Sequence, residues 1–345
     1  MRLLAIFCCI CFLQIPVSAL EIEAPTIPAE HLDQMPDETD SLWAGLWNIA
    51  QKAVDAVIPD IHGASEIAIS IIASVILVSI IQTVSSPLQK STEMAGITVI
   101  TWILLSNTNA MIGLAADTIQ EISDYGKLLL PVMTTALAAQ GGITTSGAIY
   151  AGTAFFTSLL QSIMTGVMIP GIYLYVGLGL GNAATGEELL KRTGDLLKGL
   201  IGWCLKILLM IFTTYLSLSR AISGTTDAAA LKAAKVSLST FVPVVGSVLS
   251  DASETVLVSA GVLKNAAGIY GILAVFALFL HPFLQIGIHY LILKFTGAIC
   301  GILGPGRMSG MVDCFTSALG FLLGITGASC VMILISTVCF MKGVG

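Results

Sequence analysis

The sequence predicts an all-α polytopic membrane protein with about seven transmembrane helices, within a range of six to nine. Of its 345 residues, 56% are hydrophobic and only 10% are charged, whereas an average soluble domain has about 25% charged residues. The mean hydropathy is +0.93. An aromatic content of 7% and 34 glycines favour a closely packed helical bundle over an outer-membrane barrel. This composition excludes an ordinary soluble enzyme and a nucleic-acid-binding domain.

The first 64 residues predict two segments ahead of the multi-pass domain at residues 65–345. Residues 1–19 have a basic start, an apolar centre and a small-residue cleavage pattern, which are typical of a signal peptide. Residues 20–64 carry nine acidic residues against Lys52 alone and predict an extracytoplasmic tether with an amphipathic helix. Trp43 and Trp47 are its predicted interfacial anchors. The helix either lies on the outer membrane surface or packs on the bundle.

Charge-poor stretches predict spans at residues 66–86, 94–116, 199–219, 268–303 and 314–340. Pro282 is expected to divide the long stretch 268–303 into two helices, because proline disfavours continuation of the preceding helix. The uncharged region 128–182 admits one, two or three crossings.

Basic residues predict the orientation. The short loop with Lys191, Arg192 and Lys198 is expected on the cytoplasmic side. With a secreted N-terminus and about seven spans, Gly345 is then expected inside. The basic stretch at residues 220–235 does not fit, because the same count places it outside.

A weak internal repeat relates residues 130–147 to residues 242–260. Each segment begins with an aliphatic residue and a proline, is interrupted by small or polar residues, and then becomes apolar again. Interrupted helices in two halves are typical of transporters, so the pattern predicts two re-entrant segments. The alternative is a chance similarity between two interfacial helix-turn-helix segments. The candidate residues for a pore or gate lining are Gln140, Gly141, Gly142, Ser250, Asp251 and Glu254.

Four further polar residues fall within apolar stretches, where charge is costly and often functional. These candidate intramembrane residues are Lys206, His281, His289 and Lys294. A proton relay through the two histidines is one hypothesis; packing or interfacial positions are the alternative. The sequence contains no nucleotide-binding loop, nucleophile elbow or cysteine–histidine set with zinc spacing. We therefore predict no catalytic, cofactor-binding or metal site.

The stretch from residue 224 to 268 contains a series of distinctive short segments. They are Gly224-Thr225-Thr226-Asp227, Leu231-Lys232-Ala233-Ala234-Lys235, Phe241-Val242-Pro243-Val244-Val245-Gly246, Leu249-Ser250-Asp251-Ala252 and Leu263-Lys264-Asn265-Ala266-Ala267-Gly268. Together with Leu130-Pro131 and Gly141-Gly142, these segments resemble the stage III sporulation protein AE family of endospore-forming bacteria. The resemblance covers roughly residues 65–340.

This resemblance implies a membrane subunit of a secretion or feeding channel in the mother-cell membrane around the forespore, needed for late forespore development. The implied partners are the other stage III sporulation A proteins, including an ATPase and ring-forming components, stage II sporulation protein Q in the forespore, and the lipid bilayer. No nucleic acid and no cofactor are expected. The alternatives are a stand-alone secondary transporter with broken-helix repeats and, with less support, an intramembrane enzyme.

Overall fold

A computed structural model describes residues 42–84, 89–241 and 246–342; between residues 219 and 263 many positions are described by their backbone alone. The signal peptide and most of the acidic tether lie outside these ranges. The described chain is helical, which confirms the predicted all-α class. The helices are α1 (Leu42–Val84), α2 (Gln89–Ala139), α3 (Ile143–Ile163), α4 (Ile169–Thr185), α5 (Glu188–Phe241), α6 (Gly246–Leu303) and α7 (Gly306–Met341). A single π-helical turn, Met164–Met168, joins α3 to α4.

Six helices in the described residues are long and apolar enough to cross a membrane, with α3 and α4 forming one of them. This number is at the low end of the predicted range. The expected division at Pro282 is absent, because Pro282 lies inside the continuous helix α6. Membrane bundles tolerate such a proline where neighbouring helices surround the freed backbone group. The region 128–182 holds a single crossing and not three.

Helix α7 forms the central column of the bundle. It packs on α2, α3, α4, α5 and α6. Buried side chains occur along its whole length, among them Met308, Phe315, Leu322 and Phe340. The middle of the bundle is therefore filled by apolar side chains along α7.

The helix contacts define two ends of the bundle. Val78, Gly96 and Met308 meet at one end, where the guanidinium of Arg307 also lies against Gly186. We call this end, which carries Lys90, Lys191, Arg192 and Arg307, the basic end. At the opposite, distal end, Leu42 and Leu46 pack beside Leu273, and Met341 lies against Gly268.

The described chain therefore begins and ends at the distal end. This differs from the predicted placement of the two termini on opposite sides, because α6 crosses the bundle once and not twice. Helix α5 also continues to Phe241 beyond its apolar part, which carries the basic residues 220–235 to the distal side. The basic residues 220–235 therefore still disagree with the predicted orientation, in which basic residues lie on the cytoplasmic side.

The bundle is longer than a bilayer is thick. The 43 residues of α1 extend about 65 Å, whereas the hydrocarbon core is about 30 Å thick. The uncharged stretches 67–84 and 94–116 lie in the half nearer the basic end, and charged residues begin in both helices beyond them. The charged distal parts of α1 and α2 are therefore less suited to the hydrocarbon core than the uncharged stretches.

The N-terminal part of α1 packs on the bundle, which is one of the two expected arrangements. Ile49, Ala53 and Val57 recur every four residues and are buried, and Ile49 packs in one cluster with Leu273 and Ala277 of α6. The helix continues without a break across residue 64. The division of the chain at residue 65 stays a prediction.

The two predicted re-entrant segments fold differently from each other. The first is a hairpin turn at the distal end: α2 ends at Ala139, Gly141 has φ of 90°, and α3 begins at Ile143. The second is not interrupted, because residues 250–254 lie within α6. Glycine takes a positive φ without steric cost, and Ser250-Asp251 offers no such residue. The repeat thus does not produce two matching broken helices.

The orientation is testable with two reporter fusions that are active only outside the cytoplasm. Because Met341 and Leu42 lie at the same end, we expect activity from a fusion after Gly345. A fusion in the turn at Gly186, at the basic end, should be inactive. The reverse result would invert the orientation, and equal activity of the two fusions would contradict the six-helix arrangement.

Candidate functional site

A polar cluster surrounds the turn between α2 and α3 at the distal end. The carboxylate of Asp227, on α5, accepts hydrogen bonds from the backbone N–H groups of Thr144 at 3.0 Å and Thr145 at 2.7 Å. The residue that precedes α3 is Gly142, which has no side chain with which to cap the helix. Asp227 therefore supplies the N-cap of α3 from another helix, and it satisfies two donors that the helix leaves open.

A buried cation lies on the other side of the same turn. The ammonium of Lys264, on α6, donates a hydrogen bond to the side-chain oxygen of Gln140. Gly261 of α6 lies so close to the amide of Gln140 that a methyl group there would overlap it. Asp227 is 3% exposed and Lys264 is 4% exposed. Two opposite charges from α5 and α6 thus hold the turn, which we call the turn cluster.

The hydrogen bonds determine the ionisation of Asp227. Burial by itself raises the pKa of a carboxyl group. The hydrogen bonds from Thr145 and Thr144 outweigh burial and lower the pKa of Asp227 below its ordinary value of 3.8. Asp227 is therefore a carboxylate at neutral pH, as its capping role requires.

The structure describes the side chains of only one of the two groups of the predicted pore lining. Gln140, Gly141 and Gly142 form the turn itself. Ser250, Asp251 and Glu254 lie on the helical backbone of α6, and their side chains are outside the described part of the structure. A pore-lining role for either group stays a prediction.

Sequence reasoning missed Asp227 and the contact of Lys264 with Gln140. The local signal for Asp227 is Gly142, because a helix that begins after a glycine needs a capping acceptor from elsewhere. Both charged residues also belong to the segments at 224–268 that carry the family resemblance.

A second polar group lies on α6. His281, Gln285 and His289 are spaced by four residues and so lie on one helix face. The Gln285 amide donates a hydrogen bond to Asp60 of α1 at 3.0 Å, and Nδ1 of His289 lies 2.9 Å from the Gln285 carbonyl oxygen. This contact places a proton on Nδ1 and leaves Nε2 of a neutral His289 as an acceptor. Asp60 thus contacts Gln285, the middle residue of this row, and not a histidine.

The two predicted intramembrane lysines are not part of this histidine row. Lys206 lies on α5 and is exposed, and Lys294 is exposed on α6. Lys294 follows His289 by five residues, which turns it toward a different face of the helix. Trp43 and Trp47 are 77% and 64% exposed near the beginning of α1. The roles of these four residues stay predictions.

Within the described ranges, no group of three histidine, cysteine, aspartate or glutamate residues is arranged to hold a metal ion. The five cysteines described there are not joined in disulfide bonds. The hydrogen-bonded clusters above can hold helices together.

Comparison with known proteins identifies the family. The sequence model of stage III sporulation protein AE matches residues 34–343. The chain belongs to the stage III sporulation protein AE family. This match includes both the turn cluster and the histidine row. The membership confirms the resemblance carried by residues 224–268, and it gives the chain a role in sporulation.

A curated relative supports the assignment. The chain is 24% identical over 234 residues to stage III sporulation protein AE of Bacillus subtilis (strain 168), which covers 68% of this chain and 59% of the relative. The match thus spans less than two thirds of that relative's length. No solved structure matches the chain.

Proposed function

We propose that this protein is a membrane subunit of a sporulation-specific secretion or feeding channel that links the mother cell and the forespore. It acts in the mother-cell membrane around the forespore and supports late forespore development. Membership in the stage III sporulation protein AE family is the observation that carries this proposal. A multi-pass bundle with a role in sporulation is compatible with a structural subunit, and no catalysis is proposed.

The packing of the bundle supports a subunit over a channel formed by one chain. The central helix α7 contributes buried apolar side chains from Met308 to Phe340. A path for cargo along the axis of a single chain would have to displace this column. We therefore place the path between this subunit and its partners.

The distal half supplies a surface for the partners that lie outside the cytoplasm. It extends beyond the uncharged stretches of α1 and α2, and it exposes Trp43 and Trp47. Exposed tryptophans are frequent anchors of protein interfaces. The proposed partners are the other stage III sporulation A proteins, including the ATPase and the ring-forming components, and stage II sporulation protein Q.

One observation favours a stand-alone secondary transporter as the second candidate. Gln285, which lies between His281 and His289 on one helix face, donates a hydrogen bond to Asp60, and histidine and carboxylate groups can carry protons in coupled transport. Uptake of solutes by the purified protein in liposomes would favour this candidate, particularly if it needs a pH gradient and is lost in His289→Gln.

Co-purification with the sporulation ATPase and ring-forming proteins tests the subunit proposal. We expect these proteins to remain bound to the wild-type chain. The double variant Trp43→Ser/Trp47→Ser should lose most of the partner protein that is bound outside the cytoplasm. It should retain its thermal stability, because both side chains are exposed and contribute little to the core.

Trp102→Ser is the matched control. Trp102 is also highly exposed, but it lies in the uncharged stretch 94–116 and not in the distal half. It should leave co-purification unchanged. Full partner retention by the double variant would remove the tryptophans from the interface, and failure of the wild-type chain to retain any partner would contradict the subunit proposal.

A further inference from the structure

A cavity of about 410 Å³ opens at the basic end between α4, α5 and α7. This volume is within the range of small-molecule sites. On α5 the lining residues Lys191, Gly194, Asp195 and Lys198 follow helical spacing, so one face of α5 forms this wall. The floor is closed where α4 and α7 touch: Gly179 lies directly against the sulfur of Cys314.

Three cations line this cavity: Lys191 and Lys198 from α5 and Arg307 from α7. Among the residues that the structure describes, no carboxylate lies within ion-pair distance of any of them; the ion pairs found there are Lys127–Asp124 and Arg192–Glu188. Lys198 contacts only a neutral group, the hydroxyl of Ser317, at 3.1 Å. The three cations are thus available to an anionic ligand.

The other polar groups of the cavity narrow the ligand further. Asp195 and Asp313 also line it, so its formal charge is one positive unit. An anion without hydrogen-bond donors would pair with the cations, but it would leave the carboxylates of Asp195 and Asp313 without a donor. A ligand that combines one phosphate with hydroxyl groups satisfies both sets, because phosphate pairs with lysine and arginine and hydroxyl groups donate to carboxylates.

The position of the cavity favours a membrane lipid as the source of this group. Lys191 lies near the beginning of α5, and Lys198 lies about 15 Å from the beginning of this helix. The apolar side chains of Leu178 and Leu190 also line the cavity. These side chains offer acyl chains a surface next to the cations. Basic pockets between transmembrane helices are known to bind lipid headgroups.

We propose that the cavity binds the headgroup of an anionic phospholipid whose phosphate carries a hydroxylated alcohol, of the phosphatidylglycerol class. The phosphate pairs with Lys191, Lys198 and Arg307, and the headgroup hydroxyls donate to Asp195 and Asp313. This site is separate from the turn cluster and the histidine row, and it does not depend on the proposed channel role.

The test uses the full chain, purified and incubated with defined lipid mixtures, with bound lipid counted by native mass spectrometry. We expect the wild-type chain to retain phosphatidylglycerol in preference to phosphatidylcholine, whose headgroup carries no hydroxyl donor. Each basic residue near a phosphate contributes roughly fivefold. Lys191→Gln/Lys198→Gln/Arg307→Gln should therefore weaken retention on the order of 100-fold. Arg192→Gln is the control, because Arg192 lies at the same end but pairs with Glu188 and does not line the cavity.

A second variant blocks the cavity without changing its charge. Gly310 lines the cavity and has no atom within 4 Å of the place where a side chain would begin. Gly310→Leu should therefore fold and exclude the headgroup. Gly202→Leu is its control, because Gly202 has equally open surroundings on α5 outside the cavity. Gly310→Leu decides the outcome if the triple charge variant does not fold.

Three results would overturn the proposal. They are equal retention of the two lipids by the wild-type chain, unchanged retention in Gly310→Leu, and an equal loss in a variant and its control. A fourth arm adds free glycerol phosphate. Displacement of the lipid by glycerol phosphate at equal concentration would assign the site to a soluble phosphate ester, and the lipid assignment would fail. All readouts use the isolated protein, so failure of the channel proposal leaves this result unaffected.

Discussion

Replacing Asp227 with alanine is expected to lower the free energy of unfolding by about 2–4 kcal/mol. The substitution removes the cap of α3 and leaves two backbone N–H groups at a buried position without their charged acceptor, and hydrogen bonds to charged groups are each worth roughly 1.5–3 kcal/mol. It also removes the negative charge on one side of the turn. Lys264 contacts the turn from the other side. The measurement is thermal unfolding of the purified protein, where a loss of this size shifts Tm by about 5 °C or more.

Two further variants separate capping from general damage. Asp227→Asn keeps one side-chain oxygen as an acceptor and should cost about half as much. Asp117→Ala removes an exposed carboxylate of α2 and should change the free energy of unfolding by less than about 0.5 kcal/mol. Equal stability of the wild-type and Asp227→Ala proteins would show that the cap does not stabilise the bundle.

The lowered pKa of Asp227 also predicts a pH dependence. A group whose pKa is lower in the folded state contributes stability above its unfolded pKa and loses it as pH falls through its folded pKa. The ordinary pKa is 3.8, so the Asp227 contribution is present at neutral pH and declines below about pH 4. Asp227→Asn should lose less stability than the wild-type chain on acidification below that pH.

Replacing Gly152 with alanine is expected to destabilise the contact between α3 and α5 by about 1–3 kcal/mol. A methyl group at Gly152 would overlap the aromatic ring of Tyr215, and overpacking of a filled core costs this much. The ring cannot move freely, because its hydroxyl donates a hydrogen bond to the Ala148 carbonyl oxygen at 3.2 Å. Thermal unfolding should show a lower Tm.

The chain contains a matched control on the same helix. Gly147 of α3 has no atom within 4 Å of an added methyl group, so Gly147→Ala should stabilise the protein by about 0.5–1 kcal/mol through the lower backbone entropy of alanine. Tyr215→Leu should recover part of the loss in Gly152→Ala, because the smaller side chain leaves room for the methyl group. A double-mutant cycle measures this coupling, and strict additivity would contradict the predicted overlap.

The helix count shows how far local sequence can predict this fold. Uncharged stretches identify the spans, because transfer of a helix into lipid depends mainly on its own composition. Pro282 is different: its local preference predicts a break, yet α6 continues through it among buried neighbours. The helix on which it lies packs against α1, α2, α5 and α7, and these contacts outweigh the preference of one residue.

The candidate sites also include features that the local sequence predicts and features that it does not. The turn at Gly141-Gly142 was predictable, because two adjacent glycines between apolar stretches favour a break. The partners of that turn were not, because Asp227 is separated from Thr144 and Thr145 by 83 and 82 positions. The same holds for Asp60, which is 225 positions from Gln285. The cavity at the basic end likewise requires faces of three helices.

The sequence by itself determined that this protein is an all-helical membrane protein of the sporulation family, since apolar composition and short motifs are local properties. Only the tertiary structure decided that the chain crosses its bundle six times in the described residues, that α7 fills the centre, and that Asp227 and Lys264 hold one turn. The physical reason is that burial, capping and charge pairing depend on groups brought together from distant parts of the chain. The contributions of burial, capping and charge pairing to the free energy arise only when the helices have packed.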